Sequence, residues 1–226
     1  MSRSLFLSKI YGMKDFIFDL DGTLLDTIEG IRAAINEALR QCGYDYGFDK
    51  EETKTLIGDG ADALVHRALK EEDTPEHFQT LKKAYMPLYR SEQESRTFLF
   101  PHLKETLTEL KKKGARLFVC TNKPDSFAIR IVNKLYGEGF FEEIRGQREG
   151  EAPKPDPIIP NYLIQKYHLD PKTTLFVGDS LPDYLTAKNA SLPIALCLWG
   201  YGFFTKELLA RCDYVFQTPE DLFKTL

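Results

Sequence analysis

No apolar run in this chain approaches the roughly 18 residues that a membrane-spanning helix needs, so none is a candidate for one. Cysteine is sparse: Cys42, Cys120, Cys197 and Cys212 include no C-x-x-C pair and no regular spacing. That pattern excludes a cysteine zinc site or dithiol motif and predicts free thiols in a reducing cytoplasm, with Cys120 and Cys197 as small core residues. Histidine is equally thin. His66, His77, His102 and His168 are scattered and show no partner for acid–base work. A basic stripe with interleaved aromatics is also missing, and the formal net charge is −4. Neither a nucleic acid nor an anionic membrane is expected as a partner. Residues 1–12 hold one brief apolar patch, Leu5-Phe6-Leu7, and no small-residue cleavage pattern. We read them as an extension ahead of a first strand that begins after Met13-Lys14, and not as a signal peptide. Repeats and low-complexity stretches are lacking as well.

What is present is acidic chemistry at the ends of apolar runs. Phe16-Ile17-Phe18 has the aromatic, β-rich character of a buried strand, and Asp19-Leu20-Asp21-Gly22-Thr23 follows it. Two carboxylates at i and i+2 leave an extended strand on one side, so one small ligand can touch both. Three later segments, each following or poised to follow an apolar, strand-like run, supply what such a pair would need. Leu117-Phe118-Val119-Cys120 leads into Thr121-Asn122-Lys123. Ala152-Pro153-Lys154-Pro155 is a proline-bracketed lysine ahead of a helical pattern. Leu175-Phe176-Val177-Gly178 leads into Asp179-Ser180-Leu181-Pro182-Asp183. Each segment also has an ordinary reading when taken alone. Asp19-Leu20-Asp21-Gly22 suits an Asx-type turn, Thr121-Asn122 and Gly178-Asp179 suit helix N-caps, and Lys154 suits a surface lysine. In combination they supply carboxylates, a hydroxyl, an amide and a fixed cation, the parts of a metal-assisted phosphoryl site.

At 226 residues and 42% hydrophobic, the chain can bury a substantial core and is read as one domain with an insertion. Short β-like runs at 16–20, 115–120, 141–146, 174–177, 194–198 and 214–216 alternate with helical patterns. Those patterns fall near 103–113, 126–136, 158–167, 184–190, 206–210 and 219–224. The alternation predicts an α/β fold with a parallel sheet covered on both faces. It breaks once, between Thr27 and Arg96, where only helical periodicity is found: Ile28, Ile31, Ile35, Ala38 and Leu39 share a face, as do Leu64, Val65 and Leu69. Phe78, Leu81, Tyr85, Leu88 and Tyr89 form a third set. Some 70 residues of helix are too long for a crossover between strands. We therefore expect a core domain of residues 1–26 and 97–226 and an α-helical cap domain of residues 27–96, hinged at 25–27 and 95–100. Ligands of such sheets sit at the carboxyl ends of the strands, where chain order reverses. Asp19 and Asp179 both follow predicted strands and would meet there if those strands are sheet neighbours.

The order and setting of these four segments resemble the haloacid dehalogenase superfamily, from Met13 onward and including the helical insertion. Within it the chain looks most like phosphoglycolate phosphatases. Gly58-Asp59-Gly60-Ala61, Leu64-Val65-His66-Arg67-Ala68-Leu69, Thr121-Asn122-Lys123-Pro124 and Trp199-Gly200-Tyr201-Gly202 carry that similarity. The resemblance implies a doubly wound, Rossmann-like parallel sheet with an inserted helical cap. It implies Mg²⁺-dependent hydrolysis of a small phosphorylated metabolite through an aspartyl phosphate. In that scheme Asp19 is the nucleophile and Asp21 the general acid and base. The metal ligands are the Asp19 side chain, the Asp21 carbonyl and Asp179. Asp183 holds a metal-bound water or orients Lys154. Thr121, Asn122 and Lys154 bind the phosphoryl oxygens, and Gly58, Asp59 and Gly60 form a cap loop that contacts substrate.

Two departures stand out: Ser191 follows Ala190 where relatives commonly place glycine, and residues 147–152 are unusually charged. For Gly58–Gly60 a plain helix–helix turn remains an equal reading, and Arg67 suits either a substrate carboxylate or the helix surface. The competing functions are an inorganic pyrophosphatase, a sugar phosphomutase or a non-catalytic regulatory homologue. The protein is expected to act as a monomer or homodimer in the cytoplasm.

Overall fold

The computed structural model describes residues 12–226, so the expected extension at residues 1–11 lies outside the described residues. Eight strands and nine α-helices follow one another among them. Six strands form one parallel sheet: β1 (Asp15–Phe18), β4 (Arg116–Pro124), β5 (Glu143–Gln147), β6 (Thr174–Gly178), β7 (Ile194–Cys197) and β8 (Tyr214–Phe216). Their spatial order is β5-β4-β1-β6-β7-β8, and every adjacent pair runs parallel.

Alternation along the central strands fills both faces of the sheet. Phe16 and Phe18 of β1 join Leu117, Val119, Leu175 and Val177 in one apolar cluster. Ile17 points the other way and packs with Phe118, Cys120, Phe176 and Leu196. A strand buried on both faces reads as a continuous apolar run, which is why these segments were visible in the sequence. The covering helices are α5 (Leu103–Lys112), α6 (Asp125–Tyr136), α7 (Ile158–Tyr167), α8 (Leu181–Asn189) and α9 (Lys206–Ala210). The stretch expected to be helical near 219–224 is a 3-10 helix, Pro219–Thr225.

Between β1 and β4 the chain leaves the sheet. Four helices, α1 (Ile28–Gln41), α2 (Lys50–Leu56), α3 (Gly60–Leu69) and α4 (Pro75–Ser95), pack around their own apolar cluster of Ile31, Ile35, Val65, Leu81, Tyr85 and Tyr89. A short ribbon that the periodicity missed stands where the chain leaves and returns: β2 (Leu25–Asp26) pairs antiparallel with β3 (Phe98–Leu99). Two-residue strands carry too little alternation to be read from sequence. The ribbon coincides with the two expected hinge segments.

β1 stops at Phe18, two residues short of the expected end, because Leu20 turns its carbonyl into the following loop. There it accepts from the N–H groups of Thr23, Leu24 and Leu25 at 3.3, 2.9 and 2.9 Å. That loop places both carboxylates of the first motif at the carboxyl edge of the central strand.

Candidate active site

β1, β4 and β6 are neighbours, so the segments that leave their carboxyl ends converge. Asp19 follows β1, and its N–H still donates to Val177 O at 2.9 Å, extending the pairing with β6 by one residue. Asp179 follows β6. Asp183 lies on the first turn of α8, whose N-cap is Ser180, not Asp179. One carboxylate oxygen from each of Asp19, Asp179 and Asp183 lies within 4.8 Å of the others.

Lys154 is 3% exposed, which disposes of the surface reading. Its Nζ lies 2.7 Å from Asp19 Oδ1 and 2.6 Å from Asp183 Oδ1. A buried ammonium requires paired anions, and each carboxylate alone would be equally costly there. The remaining oxygen of Asp183 accepts from Asp179 N, Ser180 N and Ser180 Oγ at 3.1, 3.0 and 2.5 Å. Asp183 therefore aims Lys154 and pins the loop that carries Asp179. Asp179 in turn accepts from Thr23 Oγ1 at 3.2 Å and Tyr201 N at 2.7 Å. Gly22, at φ +87°, makes this packing possible: a Cβ there would collide with the Asp179 carboxylate.

The electrostatics of the cluster are unbalanced. Three buried carboxylates face one ammonium. Burial and the nearby Asp183 charge push the Asp19 carboxyl up to about 7, and burial with Asp183 and Asp19 raises Asp179 well above the usual carboxylate range. Excess negative charge held by closely spaced oxygens is what a hard divalent cation neutralises, so the donor set fits Mg²⁺.

The second segment continues as strand: β4 runs through Thr121, Asn122 and Lys123, and its register against β5 shifts between Cys120 and Pro124. Such irregularities re-aim side chains beside functional sites. The N-cap of α6 is Pro124, so Thr121 and Asn122 are not its cap. Thr121 is buried at the site, its Oγ1 accepting from Lys123 N at 3.2 Å. Asn122 Oδ1 accepts from Lys154 N at 2.7 Å. Its Nδ2 donates to Lys154 O at 3.3 Å and, across the chain, to Gly58 O at 3.1 Å. The amide thus fixes the lysine loop from both sides.

Gly58-Asp59-Gly60 lies against this edge. A Cβ at Gly60, whose φ is +90°, would sit 3.3 Å from Asn122 O, so the loop touches the core and is more than a helix–helix turn. Asp59 pairs with Arg67, whose Nη1 donates to Leu56 O at 3.1 Å. Asp19 and Asp21 open onto two hollows. One, about 40 Å³, lies among Ile31, Ile57, Leu64, Tyr85, Thr121 and Lys154. The other, about 300 Å³, is walled by Lys54, Arg67, Asp179, Tyr201 and Phe203.

Sequence reasoning assigned no role to Lys123 or Tyr201. Lys123 Nζ lies 3.0 Å from Asp21 Oδ1. The available signal was a lysine continuing an apolar strand, where burial demands an acidic partner. Tyr201 Oη accepts from Thr27 N and Ile28 N at 2.5 and 3.1 Å and donates to Asp26 Oδ1 at 2.8 Å. It was quoted only within a glycine-flanked segment, and nothing local announces a partner 174 residues away.

Comparison with known proteins agrees with this geometry. The family model for haloacid dehalogenase-like hydrolases matches residues 16–197. The chain is 32% identical to a phosphoglycolate phosphatase of Escherichia coli O157:H7 over 97% of its own length and 95% of the relative's. It is 34% identical to one of Vibrio vulnificus, covering 90% of this chain and 91% of that one. A crystal structure described as a predicted phosphoglycolate phosphatase from Haemophilus somnus superposes with a TM-score of 0.86. The two are 32% identical, over 94% of this chain and 97% of that one. All four strand-end segments fall within the matched stretch.

Proposed function

The chain belongs to the haloacid dehalogenase-like hydrolases, and from that premise we propose that it hydrolyses the phosphate monoester of a small, phosphoglycolate-like metabolite. The carrying observation is the buried set of Asp19, Asp179 and Asp183 around Lys154.

Asp19 attacks phosphorus through a carboxylate oxygen, and the ester P–O bond breaks. The leaving oxygen takes its proton from Asp21, giving an alcohol and an aspartyl phosphate. A water then attacks phosphorus and yields its proton to Asp21 as the acyl P–O bond breaks. Inorganic phosphate leaves and both aspartates return to their starting forms. Thr121 Oγ1 and the backbone N–H of Asn122 bind phosphoryl oxygens, and Lys154 offsets the charge that develops on them. The carboxylates of Asp19 and Asp179 and the carbonyl of Asp21 would hold Mg²⁺, with Asp183 outside that set because its oxygens are taken by Lys154 and the Asp179–Ser180 segment. Bound there, the ion would supply the positive charge that lets an anion approach a phosphate dianion.

The helices of residues 28–95 act as a cap over the strand ends. Their loop at Gly58–Gly60 brings Lys54 and Arg67 to the larger hollow, where cations suit the carboxylate of a phosphoglycolate-like ester.

The test is turnover of phosphoglycolate and of an aryl phosphate with Mg²⁺, with EDTA, and in Asp19→Asn. Hydrolysis should require the metal and disappear in the variant; activity that survives either treatment contradicts the proposal. Pyrophosphate run in parallel separates this reading from a pyrophosphatase.

A further inference from the structure

The buried ammonium of Lys123 joins the two halves of the molecule at the carboxylate proposed to move protons. Lys123 is 4% exposed at the carboxyl end of β4. Its Nζ lies 3.0 and 3.2 Å from the two oxygens of Asp21, so it grips that carboxylate by both. The same nitrogen lies 2.5 Å from Tyr89 Oη, and Tyr89 belongs to α4 of the inserted helices. Tyr89 is packed between two rings, its centroid 5.2 Å from that of Tyr85 and 5.7 Å from that of Phe127 on α6, tilted against each.

Asp21 stands on the loop just past β1, and its side chain can turn about two bonds. A carboxylate that passes a proton to a leaving oxygen must sit within about 0.5 Å of its working position. Two-point contact with a fixed ammonium restricts that rotation.

We infer that Lys123 is a positioning residue for Asp21 and that Tyr89 makes its aim depend on the inserted helices being seated on the core. The inference rests on the acid role of Asp21 proposed above. The proton path is unchanged: Asp21 Oδ to the leaving oxygen as the ester bond breaks, and water to Asp21 Oδ as the acyl phosphate breaks.

The experiment compares kcat/KM for p-nitrophenyl phosphate and phenyl phosphate, two esters of similar shape whose leaving oxygens differ in basicity. The quantity kcat/KM reports the step in which the ester bond breaks, and only the more basic leaving group leans heavily on an acid. In Asp21→Asn the ratio of phenyl to p-nitrophenyl rates should fall about tenfold or more. Lys123→Met should lower that ratio in the same direction, and Tyr89→Phe, which keeps the ring, should lower it a few-fold. A purely structural lysine would slow both esters equally and leave the ratio alone, which overturns the inference. A loss confined to phosphoglycolate, with the aryl ratio intact, would make Lys123 a substrate-carboxylate contact and overturns it too. Should Lys123→Met fail to fold, Tyr89→Phe decides on the same ratio. An unchanged ratio in Asp21→Asn removes the acid role itself, whereas a changed ratio there with none in the other two variants removes only the present inference.

Discussion

Each acidic side chain of the site is defined by what it touches, and the consequences differ residue by residue. Asp19 has one lysine contact and is proposed as the group that bonds to phosphorus. Asp19→Asn keeps the shape and loses the nucleophile, so kcat should fall by at least about 10³-fold, measured as phosphate release. Lys154 is the cation shared by Asp19 and Asp183. Lys154→Met leaves both carboxylates buried without it, and removal of one member of such a group costs about 3–5 kcal/mol. Urea unfolding in EDTA should show that loss alongside abolished turnover; an unchanged midpoint would mean that the ion pairs are not formed in solution. Asp19 was legible in the sequence because a strand-like run ended on it. Lys123 was not, since its role depends on a residue 102 positions earlier and on a tyrosine from another layer.

At the scale of elements, specific hydrogen bonds tie the inserted helices to the core. Tyr201 reaches from the loop after β7 to accept the first N–H groups of α1. Helix-starting donors need an acceptor, and loss of one costs on the order of 1 kcal/mol. Tyr201→Phe should therefore lower the melting temperature by several degrees and raise KM while kcat for an aryl phosphate changes less. At Gly60 a side chain has no room without moving Asn122 or the loop, and the φ of +90° disfavours one in any case. Gly60→Val should raise KM for phosphoglycolate by about tenfold, a shift of about 1.4 kcal/mol in binding, and should also lower the unfolding midpoint, because valine is strained at that φ. Steady-state kinetics beside thermal melts would separate the two effects. Periodicity showed the apolar faces of three of these helices, α1, α3 and α4, and gave no separate signal for the short α2. It did not show the β2–β3 ribbon, nor which face of the module looks at the strand ends, because an amphipathic stripe announces burial and not the identity of what covers it.

For the whole molecule the strongest electrostatic consequence is that the metal-free fold works against itself. Asp19 holds its proton up to about 7 in the fold but loses it near 3.8 when unfolded. The folded state therefore binds more protons between those pH values, and its stability falls as pH rises through that window. A divalent cation bound to the cluster removes the penalty and adds its own linkage. Differential scanning in EDTA should find the wild type less stable at pH 8 than at pH 5.5, relative to Asp19→Asn. Mg²⁺ should raise the melting temperature of the wild type more at pH 8 than at pH 5.5, and should do little for the variant. Equal shifts at both pH values would contradict the charge imbalance.

The sequence by itself determined the parallel α/β core, the helical insertion and the four strand-end segments. A strand buried on both faces must be written as an unbroken apolar run, and polar residues at its end then have few positions to occupy. Only the tertiary structure decided which of those polar groups meet. The pairing of Lys154 with Asp183 as well as Asp19, the clasp of Asn122 on the lysine loop, and the tie from Tyr89 through Lys123 to Asp21 each join distant parts of the chain. Their partners are chosen by strand order and helix docking, and those follow from the packing of the entire core and leave no local mark in the chain.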